Sequence, residues 1–151
     1  MVMEDIIENN GCIETTESPD TCPLIVTIIG PIRIWWGEWG SERHKEYSDW
    51  RDTIRLSLVQ AGCAVYSPHR AIQGSWNIKL QEINDAAIRI SDLVVVMTPP
   101  GVEANGTAGE MLVAEEAGIP TFLCPPKSDN LHTDLLHIVK TAKLLKQKLS
   151  K

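Results

Sequence analysis

The sequence lacks any excess of positive charge: 14 Lys and Arg stand against 20 Asp and Glu, a formal net charge of -6. That removes the footprint by which a protein neutralises a polynucleotide backbone, so no nucleic acid polymer is expected as a partner. A single nucleotide stays open, because one phosphate can be held by backbone amides and an arginine. Paired cysteines are lacking as well. Cys12, Cys22, Cys63 and Cys124 form no Cys-x-x-Cys and no metal-ligand spacing, so neither a metal site nor a disulfide framework is expected. Cys63 and Cys124 fall in or beside apolar runs, where a free thiol behaves as a small hydrophobe. No stretch approaches the ~18 apolar residues of a membrane span. The acidic, polar start lacks the basic-then-apolar order of a signal peptide. A cytoplasmic protein without a membrane partner is the expectation. Internal repeats are absent, and 151 residues suit one domain that buries enough surface to fold unaided.

What is present is an alternation of two periods. Residues 1–22 are polar and acidic without period, and read as a disordered or loosely attached arm. From residue 23 to 151, short apolar runs alternate with helical patterns. LIVTII (Leu24 to Ile29), CAVYS (Cys63 to Ser67), DLVVVMT (Asp92 to Thr98) and PTFLC (Pro120 to Cys124) read as strands, the continuous runs being buried on both faces. Helices are expected over about Arg43 to Gln60, Trp76 to Ile90, Thr107 to Ala117 and Thr133 to Leu149, with Gly62 and Gly118 as stop signals. Their expected buried faces are Trp50, Ile54, Ser57, Leu58 and Ala61; Leu80, Ile83, Ala87 and Ile90; Met111, Ala114 and Ala117; and Leu135, Leu136, Val139, Ala142, Leu145 and Leu149. Lys140, Lys143, Lys146, Lys148 and Lys151 read as a solvated helix face. This alternation describes one α/β domain, a doubly wound, mostly parallel sheet of Rossmann-like or flavodoxin-like type.

In such sheets ligands bind beyond the carboxyl ends of the strands, and the unusual residues follow strand ends. Gly30, Pro31 and Arg33 lead into a loop with Trp35, Trp36 and Trp39; His69 and Arg70 follow the second strand; a long loop after the third reaches Gly106, Thr107, Gly109 and Glu110. Glycines there allow a ligand close to the backbone. Glu110, placed in the first turn of a helix, is expected to stay ionised through free amides and the helix dipole; it is either a helix cap or a nucleophile for an anomeric carbon. The tryptophans either stack on a flat ring or pin their own loop. Arg33, His69 and Arg70 are candidates for a 5'-phosphate or for surface charge.

The segments TIIGPIR (Thr27 to Arg33), SDLVVVMTPP (Ser91 to Pro100) and GTAGEMLVAEEAGIP (Gly106 to Pro120) resemble the nucleoside 2-deoxyribosyltransferase family, which includes nucleoside 5'-monophosphate N-glycosidases. The third is the most specific, and the resemblance spans about Leu24 to Cys124. It implies that Glu110 is the nucleophile, forming a covalent glycosyl-enzyme. The base-contacting acid of the family falls on Asn84, beside Asp85; Asp85 is the preferred bearer of that role. A nucleophile-orienting tyrosine of the family falls on Thr27, and an aspartate on Ala104, next to Asn105. Trp35 and Trp36 lie where the family sets an aromatic against the base. The resemblance further implies a nucleoside or nucleotide substrate, an acceptor nucleobase, no cofactor, and a homo-oligomer in which Asn130 and His132 occupy the region that completes a neighbour's pocket. The expected activity is transfer of a (deoxy)ribosyl group between bases; the alternatives are hydrolysis of a nucleoside 5'-monophosphate and a nucleotide sensor without turnover.

Overall fold

The computed structural model describes residues 13–14, 24–30, 42–67, 78–97, 105–124 and 130–149. The apolar runs become β2 (Ile25–Ile29), β3 (Ala64–Tyr66), β4 (Leu93–Met97) and β5 (Thr121–Cys124), joined by β1 (Ile13–Glu14). The helical periods become α1 (Glu42–Gln60), α2 (Ile78–Ile90), α3 (Asn105–Glu116) and α4 (Leu131–Leu149). One sheet results, in the order β1-β3-β2-β4-β5. The strands β3, β2, β4 and β5 run parallel, while β1 pairs antiparallel with β3. This is the doubly wound, mostly parallel α/β arrangement expected from the alternation of periods. Within the segment read as an arm, Ile13 lies opposite Tyr66 and Glu14 opposite Val65; residues 1–12 and 15–22 lie outside the described residues.

The side-chain period of two sorts each central strand between two cores. Val26, Ile28, Val65, Val95 and Met97 face α1 and α4, meeting Ile54, Leu58, Leu135 and Val139. Ile29, Val94 and Val96 face the other way, onto Ile88 of α2 and Ala114 of α3. Each fully buried aliphatic side chain contributes about 1.5–3 kcal/mol relative to exposure, and the β-branched content of β2 and β4 suits a pleat covered on both faces.

Two helices end in the same way. Cys63 N donates to Leu58 O and Gly62 N to Val59 O; likewise Ile119 N donates to Ala114 O and Gly118 N to Glu115 O. These paired bonds are Schellman caps, and they require the left-handed backbone that Gly62 (φ 87) and Gly118 (φ 72) supply at little steric cost. The helix faces depart from expectation at their edges. Ile90, Ala117, Leu136 and Leu145 are exposed. The buried stripes are Asn84, Ala87, Ile88 and Ser91 on and after α2, and Leu131, Leu135, Val139 and Ala142 on α4; the apolar arc of each helix is wider than the strip of sheet it covers. Leu80 and Leu149 belong to the part whose side chains are not described. Cys63 and Cys124 are buried, and burial pushes the Cys124 thiol up to about 11. Among the described residues no helix is long and apolar enough to cross a membrane.

The amino ends of the strands are tied together by charge. Asp92 Oδ2 accepts from Ile25 N at 2.8 Å and from Lys146 Nζ at 3.0 Å, and Lys143 Nζ donates to Ala61 O at 3.1 Å. Lys143 and Lys146 are therefore tied at their heads to the end of α1 and to the sheet edge, while remaining partly solvated.

Candidate active site

At the opposite edge, the carboxyl ends of β3, β2 and β4 lie side by side, and the chain leaves β2 through α1 toward β3 but leaves the adjacent β4 through α3 toward β5, in the opposite direction. That is a topological switch point, where open α/β sheets bind ligands. Gly30 closes β2 there under tight constraint. A Cβ on it would stand 2.7 Å from Tyr47 Oη, 3.0 Å from Met97 Cβ and 3.4 Å from Arg51 Nη1. The backbone needs a residue without a side chain because a phenol and a guanidinium fill the space beneath it.

Those two groups come from α1. Tyr47, Arg51, Ile54 and Leu58 follow the i, i+4, i+7, i+11 spacing of one helical face, so the stripe that packs on the sheet lower down delivers two polar side chains at its upper end. Arg51 is only 1% exposed. Its Nε donates to Ser67 Oγ at 3.1 Å, Nη2 to Ile28 O at 2.8 Å and Nη1 to Tyr47 Oη at 3.3 Å. The planar fork thus joins α1 to the ends of β2 and β3. A buried cation costs several kcal/mol unless it is hydrogen-bonded and faces opposite charge; the opposite charge here is Glu110, whose carboxyl Arg51 draws toward the ionised form.

Glu110 reaches the same place from the other side of the sheet. Thr107, Glu110, Met111 and Ala114 share the inward face of α3, and Glu110 is 8% exposed. The helix starts at Asn105 rather than Thr107, which places Glu110 beyond the first turn and its free amides. The expectation that those amides keep it ionised is therefore corrected, as is its role as a cap. Burial pushes the carboxyl up to about 7, and the neighbouring Asp85 adds to the rise, against the pull of Arg51 and a smaller one from Gln81. Desolvation is the larger effect because the fixed dipole falls off within a turn. Among the described residues Glu110 Oε2 has no hydrogen-bond partner, and neither does Thr107 Oγ1 one turn earlier. Tyr47 senses the same carboxylate; its phenol is pushed up chiefly by burial, with Arg51 opposing and Glu110 adding to the rise.

The two candidates on α2 separate. Asn84 is buried with its Oδ1 accepting from Tyr66 Oη at 2.7 Å, which ties it to β3. Asp85 is half-buried, accepts from Gln81 Nε2 at 2.7 Å, and repels the charge of Glu110. Thr27 is buried on β2 with its Oγ1 2.7 Å from Ser91 Oγ; the phenol near Glu110 comes from Tyr47 on α1 instead. Gly109 is exposed, and a Cβ on it would meet nothing within 4 Å among the described residues. Gly106 lies in the first turn of α3. Pro31, Arg33, Trp35, Trp36, Trp39, His69, Arg70 and Ala104 lie outside the described residues. His132 Nδ1 lies 3.1 Å from Ser57 Oγ of the same chain. Among the described residues no group of three or more His, Cys, Asp or Glu is placed to hold a metal ion.

Sequence reasoning missed Arg51 and Tyr47. Their signal was the i, i+4 continuation of the Ile54 and Leu58 stripe toward the helix start, which a buried face drawn from Trp50 onward cuts off.

In fold the chain is similar to a 2-deoxyribosyltransferase from Leishmania mexicana, with 17% sequence identity and a TM-score of 0.52, covering 70% of this chain and 67% of that one. It is also similar to a CMP N-glycosidase from Clostridium botulinum, with 16% identity and a TM-score of 0.51, covering 83% of this chain and 98% of that one. Both neighbours match the resemblance read from the sequence segments. No family model matches the chain, and no curated protein matches it in sequence.

Proposed function

We propose that this chain is a nucleoside (deoxy)ribosyltransferase that cleaves the N-glycosidic bond through a covalent glycosyl-Glu110 intermediate and passes the sugar to another nucleobase. The observation that carries the reading is the Glu110 carboxyl itself: buried at the switch point, one oxygen without a partner among the described residues, and subject to the attraction of the Arg51 cation and the repulsion of the Asp85 carboxylate. Paired carboxyl groups of unequal character suit glycosidic chemistry, one as nucleophile and one moving a proton. Burial holds the Glu110 carboxyl at about 7, and the reaction proceeds from the form in which Glu110 is ionised and the pair's one proton sits on Asp85. Glu110 in its ionised form bonds to C1' as the C1'–N bond breaks; the electron pair goes to the departing base nitrogen, which takes a proton from the Asp85 carboxyl. The incoming base nitrogen then gives its proton to Asp85, bonds to C1' and releases Glu110. The proton count closes within the two carboxyls. The fold neighbours named above support the substrate class.

A second reading replaces the acceptor base by water and makes the chain a nucleoside 5'-monophosphate N-glycosidase. It is favoured by coverage: the CMP N-glycosidase matches 83% of this chain and the transferase 70%. Chromatography of reactions with nucleosides and their 5'-monophosphates, with and without a second base, separates the two. Base exchange supports transfer; free sugar or sugar phosphate alone supports hydrolysis. Glu110→Ala is expected to lose at least about 10³-fold in turnover. Turnover that survives this change removes Glu110 as nucleophile, and a wild-type protein that binds nucleotide without consuming it is a sensor.

A further inference from the structure

On the inward face of α3, Thr107 and Glu110 stand one turn apart, and each carries a buried oxygen with no partner among the described residues, Thr107 Oγ1 and Glu110 Oε2. Thr107 is 6% exposed. A buried hydroxyl left unsatisfied costs about 1–3 kcal/mol, and such groups in folded proteins call for an explanation by ligand or function. Side chains at i and i+3 share a face and lean toward the helix start, which here is the end of α3 that follows β4 at the switch point.

Stereochemistry says what such a pair faces. In a β-nucleoside the base and the 5' carbon lie on one face of the sugar, and the 2' and 3' hydroxyls of ribose on the other. A nucleophile that displaces the base in line must approach C1' from the hydroxyl face. With Glu110 there, the group vicinal to the reacting carbon on that face is the 2'-hydroxyl, a donor and an acceptor able to bridge Thr107 Oγ1 and the second oxygen of Glu110.

We infer that Thr107 is a specificity-determining residue that recognises the sugar 2'-hydroxyl beside Glu110, so that the chain favours ribonucleosides or ribonucleotides over their 2'-deoxy counterparts. The inference rests on the proposed role of Glu110 and deepens it by naming the sugar. A site built around a substrate hydroxyl discriminates strongly, because the analogue without it leaves buried polar atoms unpaired.

The test measures kcat/KM for the four common ribonucleosides and their 2'-deoxy counterparts, each also as the 5'-monophosphate, in wild type, Thr107→Val and Thr107→Ser. The ribo-to-deoxy ratio of wild type is expected to exceed one and to fall about tenfold in Thr107→Val, the worth of one hydrogen bond between uncharged groups. Thr107→Ser keeps the hydroxyl and is expected to keep the ratio. Without substrate, Thr107→Val is expected to melt above wild type, since it replaces an unsatisfied hydroxyl by a methyl of the same shape. A wild type that prefers deoxy substrates, a ratio unmoved by Thr107→Val, or a lower Tm for that variant overturns the assignment while leaving Glu110 as nucleophile. A wild type that cleaves neither sugar overturns both.

Discussion

At the amino ends of β2 and β4, Asp92 accepts from the Ile25 amide and the Lys146 ammonium; the acceptor is matched by backbone and side-chain donors, and the charge by an opposite one. At the carboxyl ends of the same strands, Arg51 and Glu110 are also opposite charges, but they are more deeply buried, and Glu110 Oε2 and Thr107 Oγ1 have no partners among the described residues. One sheet thus carries two polar edges with different accounting. The lower edge is closed and serves the fold. The upper edge retains unsatisfied atoms at about 1–3 kcal/mol each, a cost that mutation would readily remove were stability the only demand.

The largest effect expected on this contrast is at Arg51. Arg51→Met leaves Ile28 O, Ser67 Oγ and Tyr47 Oη without their shared donor and is expected to destabilise the protein by about 3–5 kcal/mol, read from urea unfolding. Its charge also holds the Glu110 carboxyl down against burial, so the acid limb of kcat/KM is expected to move to higher pH in Arg51→Met and to stay near the wild-type position in Arg51→Lys, which keeps the charge but not the fork. An unmoved limb in the methionine variant, with only stability lost, reduces Arg51 to a structural tie.

Next comes Glu110→Gln, read as stability rather than activity. The folded carboxyl sits at about 7 against the ordinary 4.5. Between these values the folded state holds a proton that the unfolded state has released, so wild-type stability falls as pH rises through that window, by ~1.4 kcal/mol per pH unit and by ~3 kcal/mol in all at most. The glutamine variant has no such dependence. It is expected to match wild type below pH ~4 and to gain on it steadily up to neutrality. A difference that stays flat with pH would mean that the carboxyl is solvated and that the upper edge is not the strained one.

The two edges differ as well in how far the sequence discloses them. The strands were legible because LIVTII and DLVVVMT leave no helical period, and the α1 and α3 stops because Gly62 and Gly118 follow apolar stripes. Glu110 was legible as a candidate through its glycines. Its ionisation was not: that depends on whether α3 starts at Asn105 or Thr107, a difference smaller than the precision of boundaries read from pattern. Arg51 was hidden for another reason. An arginine on a helix is read as surface by composition, and only the convergence of Ser67, Ile28 O and Tyr47 on one point, a property of three separate segments, makes it buried. Lys146 was misread in the same way, because its partner Asp92 is distant in sequence.

Gly30 tests how tightly the upper edge is packed. In Gly30→Ala the new methyl would lie 2.7 Å from Tyr47 Oη and 3.0 Å from Met97 Cβ. The phenol must shift and take the Arg51 bond with it, at an expected cost of about 1–3 kcal/mol. Tyr47→Phe removes the nearer obstacle. The double variant is therefore expected to be more stable than the sum of its parts by at least ~0.5 kcal/mol in a double-mutant cycle. Strict additivity would place the strain at Met97 instead.

The smallest effect belongs to the lower edge. In Lys146→Met the aliphatic stem that runs toward the sheet is kept and only the ammonium is lost. The pair is partly solvated, with side chains 36% and 24% exposed, and exposed pairs are worth about 0–1 kcal/mol. Asp92 retains the Ile25 amide, so no buried acceptor is orphaned and the loss is expected to stay within that range. The pH profile of turnover is expected to be unchanged, since Lys146 touches the sheet at the end away from Glu110. A loss as large as that of Arg51→Met would mean that the amino edge, too, depends on a single charge, and that closed hydrogen-bond accounting does not distinguish a structural edge from a working one.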